Sequence, residues 1–91
     1  MKIRIRFFAR FRELLGTDIA AEPAPGTVLA RLIRDVARKN KEGYRAIFDD
    51  QGEIREFVIL MRNGKRVETL DAGKRQVADG DEIAVFPPVS G

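Results

Sequence analysis

Val28, Leu29, Leu32, Ile33, Val36 and Ala37 recur on one side of a 3.6-residue period, with Arg31, Arg34, Asp35 and Arg38 on the other. The spacing predicts a helix over about residues 27–40, capped by Thr27. It is the one long helical pattern in the chain, and it falls in the middle, between segments whose period is two. A single amphipathic helix covers only one face of a sheet. The chain is therefore constrained to a two-layer α+β domain whose second sheet face must find another use.

The flanking segments supply the sheet. In KIRIRFF (residues 2–8), Ile3, Ile5 and Phe7 alternate with Lys2, Arg4, Arg6 and Phe8, the pattern of a strand with one buried face. Phe11, Leu14 and Leu15 follow at helical spacing and predict a turn or two of helix ending at Gly16. Thr17–Glu22 is a weaker strand, stopped by Pro23-Ala24-Pro25-Gly26 and expected to pair with the first. Beyond the long helix, residues 41–56 break into short apolar pieces around Asp49-Asp50-Gln51-Gly52 and predict an irregular connection. Phe57–Arg62, Asn63-Gly64 and Lys65-Arg66-Val67 predict a hairpin, because Asn-Gly accommodates the two positive φ values of a type I′ turn. Asp79-Gly80 predicts another turn, and Glu82–Phe86 the last strand. The expected order is β-β-α-β-β, a mixed sheet of four or five strands on one main helix.

Two strands do not alternate. Residues 57–61 and 83–86 are apolar at every position, so Val58 and Leu60 or their alternates, with Ala84 or Phe86, should emerge opposite the helix. Phe8 joins them by parity with Arg4 and Arg6. An apolar patch on the uncovered face of a small domain marks a protein-docking surface, unless residues 41–56 fold over it.

Composition removes several classes of chemistry. With no cysteine and no histidine among 91 residues, there is no thiol, no thiolate metal site and no imidazole base. Asp49, Asp50 and Glu53 lack the spacing of a calcium loop, and neither Asn63-Gly64 nor Asp79-Gly80 sits in a phosphate-binding pattern; no metal and no bound cofactor are expected. The charged N-terminal strand is unlike a signal peptide, and no run approaches the ~18 apolar residues of a membrane span. A cytoplasmic protein without membrane contact is expected. Seventeen basic against fourteen acidic residues leave +3. Because Arg31, Arg34, Arg38, Lys39 and Lys41 are interspersed with Asp35 and Glu42 and lack stacking aromatics, they read as a solvated helix face rather than a nucleic-acid site.

The C-terminal end is shaped differently from the rest. Pro87 and Pro88 fix φ and donate no hydrogen bond, so the chain is expected to leave a body of residues 1–86 as an extended tail of residues 87–91. Three to five extended residues reach ~10–17 Å, enough to thread a narrow channel. A terminal glycine leaves its own carboxylate sterically open.

FFARFREL (7–14), the helix near 27–40 and above all DGDEIAVFPPVSG (79–91) resemble the MoaD and ThiS family of ubiquitin-like sulfur carriers and the related small archaeal modifier proteins. The resemblance implies the β-grasp fold. It also implies that an E1-like adenylating enzyme uses ATP to activate the C-terminal carboxylate of Gly91, which sulfur converts to a thiocarboxylate. The sulfur then goes to a pyranopterin precursor in a complex with a larger molybdopterin synthase subunit, so that this chain would be the non-catalytic carrier. Phe8, Arg12 and Phe86 match the family's docking positions. The expected contact has Phe8, Leu60 and Phe86 at its centre, Arg12 at its rim, and Pro87, Pro88, Val89 and Ser90 entering the partner. An alternative implied by the same resemblance is a protein modifier joined through its C-terminal glycine to lysines of target proteins. Family tails normally end on two glycines, whereas this one reads Ser90-Gly91. Either Gly91 is the reactive terminus or one glycine is missing from the chain.

Overall fold

The computed structural model describes residues 1–88. Five strands form one mixed sheet: β1 (Ile3–Phe7), β2 (Asp18–Ala21), β3 (Ile59–Arg62), β4 (Lys65–Val67) and β5 (Glu82–Phe86), in the spatial order β2-β1-β5-β3-β4. β1 and β5 are parallel at the centre, and the remaining neighbours are antiparallel. Both expected strand pairs form. Asn63 and Gly64 turn the β3–β4 hairpin at φ 51° and 81°, as that dipeptide predicted.

Register sorts the side chains. Phe7, Val85, Leu60 and Val67 lie in one row across four strands, and all face the core. On the same face, Ile3, Ile5 and Ile83 complete a floor on which helix α2 (Leu29–Ala37) buries Leu29, Leu32, Ile33, Val36 and Ala37. Burying a side chain of this size contributes about 1.5–3 kcal/mol, and this stripe is what holds the helix to the sheet.

α2 is shorter than its periodicity suggested, and Thr27 does not cap it. The Thr27 hydroxyl instead donates to the Ala24 carbonyl. Val28 is the N-cap, without a side-chain bond. The exposed donors of the first turn are met from far along the chain: Leu29 N–H donates to the Arg75 carbonyl and Ala30 N–H to that of Ala72. Free N–H groups at a helix start need partners, and here the loop after the 3-10 turn Thr69–Asp71 provides them. Helix α1 (Ala9–Leu15) occupies the predicted short helical segment between β1 and β2.

The stretch 41–56, expected to be irregular, begins with a third helix, α3 (Lys41–Ile47). Asn40 caps it: its side-chain oxygen accepts from Gly43 N–H, and its amide donates to the Leu14 carbonyl, tying α3 to the end of α1. Gly43 lets the two helices meet, since a Cβ there would lie 2.6 Å from a Leu15 methyl. Beyond α3, Asp49 accepts from the N–H groups of Gln51 and Glu53, which makes this acidic cluster a turn. Arg34 clips the turn to α2 through the Gly52 carbonyl and lies over the Phe48 ring. Ile47, Phe48 and Ile54 thus enter the core beside α2. The connection does not fold across the sheet's other face.

Candidate protein-docking site

That other face carries the opposite side-chain set: Arg4, Arg6 and Phe8 from the β1 register, Glu82, Ala84 and Phe86 from β5, and Ile59 and Met61 from β3. At the end where β5 leads into the prolines they enclose an apolar groove of ≈ 510 Å³. Its walls are Phe8 and Ala9 on one side, Ile59 and Met61 on the other, and Phe86, Pro87 and Pro88 between them. Phe8 and Phe86 stack with ring centroids 4.2 Å apart and planes 12° from parallel. The Arg6 guanidinium lies 5.7 Å from the Phe8 centroid, within cation–π range.

The backbone explains why Phe8 stands there. Its N–H still donates to the Val85 carbonyl, continuing the β1–β5 ladder, while its own carbonyl accepts from Phe11 and Arg12 as α1 begins. Strand becomes helix within one residue, and the reversal is made at Ala9 with φ 53°, the left-handed region where a Cβ is disfavoured by about 1–2 kcal/mol. The strain sits in the wall of the groove.

At the other end of β5 the chemistry is polar. Asp81 is 5% exposed and accepts from Ala78 N–H, from the Asn63 amide and from the Arg62 guanidinium, each at 2.8 Å. Asn63 in turn accepts from Glu82 N–H and donates its own N–H to the Glu82 carbonyl. Burial alone would raise the Asp81 pKa, but the Ala78 and Asn63 hydrogen bonds and the Arg62 charge outweigh it and hold the carboxyl below its ordinary value. Arg4, on the uncovered face, pairs with Asp18, and its pKa is raised by that hydrogen bond and charge.

The predicted residues separate. Phe8, Phe86, Pro87 and Pro88 meet at the groove. Leu60 does not: it is 0% exposed, paired with Val85 and Val67 inside the core, and Val58 is buried too. A one-residue change of parity moves a side chain to the other face, so the alternates Ile59 and Met61 supply the contact expected of Leu60. Arg12 is exposed on α1, its N–H bonded to the Phe8 carbonyl, and lies outside the groove lining. Ala9 is a lining residue that the sequence did not point to, whereas Ile59 and Met61 were open to it only as the alternates of Val58 and Leu60. Val89, Ser90 and Gly91 lie outside the described residues. Among those described, no cluster of three or more metal-ligating acids occurs, and no helix is long and apolar enough to cross a membrane.

A five-stranded mixed sheet with parallel central strands, gripping one main helix and exposing an apolar groove at the foot of its last strand, defines a ubiquitin-like β-grasp domain. The crystal structure of SAMP1 from Haloferax volcanii superposes with a TM-score of 0.82 at 26% identity, covering 100% of this chain and 99% of that one. The ThiS family model matches residues 5–91, and the chain belongs to that family of ubiquitin-like sulfur carriers. It is 32% identical to small archaeal modifier protein 3 of Haloferax volcanii, over 100% of this chain and 99% of the relative. It is 33% identical to the molybdopterin synthase sulfur carrier subunit of Escherichia coli, over 98% of each.

Proposed function

We propose that this protein is a cytoplasmic sulfur carrier for molybdopterin synthesis. An E1-like enzyme joins the Gly91 carboxylate to the adenylyl group of ATP, releasing pyrophosphate. Sulfide-level sulfur from a donor then attacks the acyl carbon and expels AMP, leaving a thiocarboxylate, which passes its sulfur to a pterin precursor held by a larger synthase subunit while water returns the terminus to a carboxylate. The observation that carries this reading is the apolar groove at the foot of the tail. Phe8, Phe86, Ile59 and Met61 offer an anchoring surface on the uncovered sheet face, and Pro87 and Pro88, which precede the terminus, line the same groove. The reacting group is the main-chain terminus, so the carrier needs no catalytic side chain, in keeping with a chain that has neither cysteine nor histidine.

The experiment is intact-mass spectrometry after incubation with the adenylating enzyme, ATP and a sulfur donor. One oxygen replaced by sulfur at the C-terminus is expected, and an unaltered carboxylate with active enzyme present overturns the proposal. The similarity to small archaeal modifier proteins favours a second reading, in which the same activated terminus is joined to lysine amines. Isopeptide-linked conjugates recovered from cells support that reading, whereas co-purification with one larger subunit supports the carrier.

A further inference from the structure

The groove continues down the sheet as a strip with a cation on each side. In one cross-strand row Arg6 of β1 pairs with Ala84 of β5, Ala84 with Met61 of β3, and Met61 with Arg66 of β4. Arg6 and Arg66 therefore stand three strand spacings apart, about 14 Å at the backbone at ~4.8 Å per step, with the small Ala84 and the flexible Met61 between them. Both arginines are exposed. Among the described residues neither lies within 4.0 Å of a carboxylate, whereas Arg4 is held by Asp18 and Arg62 by Asp81. Glu82, in register with Arg4 on the neighbouring row, is the one acid among the described residues that shares a hollow with Arg6, and it stays outside ion-pair distance of it.

We propose that Arg6 and Arg66 select the protein that docks in the groove: the occupant is a protein segment with an apolar anchor for Phe8, Phe86 and Ile59 and a carboxylate on each side of it. This rests on the docking reading above and adds to it the charge of the partner. Apolar contact is indifferent to partner identity, but two exposed guanidiniums outside ion-pair distance of any described carboxylate repel a basic rim and steer an acidic one. A nucleic acid fits less well, because the two aromatic rings are stacked on each other rather than presented to bases.

The test measures association and dissociation rates on the immobilised larger molybdopterin synthase subunit for wild type, Arg6→Glu, Arg66→Glu, Arg6→Lys and Phe86→Asp. Each reversal to Glu should slow association on the order of tenfold at low salt. The difference should close near 1 M salt, where the screening length is ~3 Å, and dissociation should change little. Arg6→Lys should keep the wild-type rate. Association of both Glu variants at the wild-type rate, while wild type binds and Phe86→Asp does not, overturns the charge assignment and leaves the docking reading standing. Failure of wild type to bind overturns both. Retention of a mixed-sequence RNA by wild type but not by the Glu variants also overturns the proposal, in favour of a phosphate-reading face.

Discussion

The two ends of β5 are built on opposite principles. At the start, buried Asp81 gathers three donors and Asn63 stitches the Glu82 backbone to the hairpin turn, so that polar groups fix the strand against β3. At the end, Phe86 contacts Phe8 by ring stacking, and the surrounding groove stays open. The first end is saturated internally. The second holds its shape yet keeps apolar surface available. The last strand is thereby fixed at its root and receptive at its tip.

The division fails if the polar end proves expendable. Asp81→Ala strands a buried N–H, an amide and a guanidinium, and should cost about 3 kcal/mol in urea unfolding; a loss under about 1 kcal/mol refutes the anchoring role. Phe86→Asp should do the reverse. It removes ring stacking of about 0.5–1.5 kcal/mol, but should weaken binding to the larger subunit by at least 2 kcal/mol, in the range of an interface hot spot. An affinity unchanged in titration calorimetry would reassign the groove.

Acid sharpens the contrast. A carboxyl held below its ordinary pKa contributes stability that is present above about pH 4 and lost as pH falls through the folded value. Wild type should therefore lose stability on acidification more steeply than Asp81→Asn, and parallel pH profiles would deny Asp81 that contribution. The smallest effect belongs to the groove wall: Ala9→Gly relieves φ 53° and should stabilise by about 0.5–1 kcal/mol, net of glycine's added chain entropy. A lower thermal midpoint would show that the left-handed turn is not strained.

Much of this was legible in the sequence because the signals were local. Alternation in Ile3–Phe7, the Asn63-Gly64 turn and the stripe on α2 each declare their structure within a few residues, and their order leaves few ways to close a sheet. What escaped was set by distant partners. The start of α2 depends on carbonyls of Ala72 and Arg75, and no window around Thr27 contains them. α3 was readable from Asn40 as a cap and from Tyr44, Ile47 and Phe48 at helical spacing, but Gly43 interrupts the stripe at the point where Leu15 needs room. Leu60 illustrates a third kind of gap. In a run apolar at every position, periodicity cannot say which parity faces inward, and only pairing with Val85 settles it. Phe8 carried a local signal, the arginines that share its parity, and lies on the uncovered face as expected; Phe86 sits in a run as uninformative as that of Leu60, and its place there was implied by the family resemblance rather than by the pattern.

The central pairing of β1 with β5 also governs when the molecule can exist. During synthesis the β1–β2 and β3–β4 pairs emerge first, and neither touches the other in the sheet until Glu82–Phe86 slides between them. Contacts joining the two ends of a chain are the slowest to close. A nascent chain still inside the ribosome therefore has no assembled groove, and any protein that grips the body through it can engage only molecules in which β5 has taken its place.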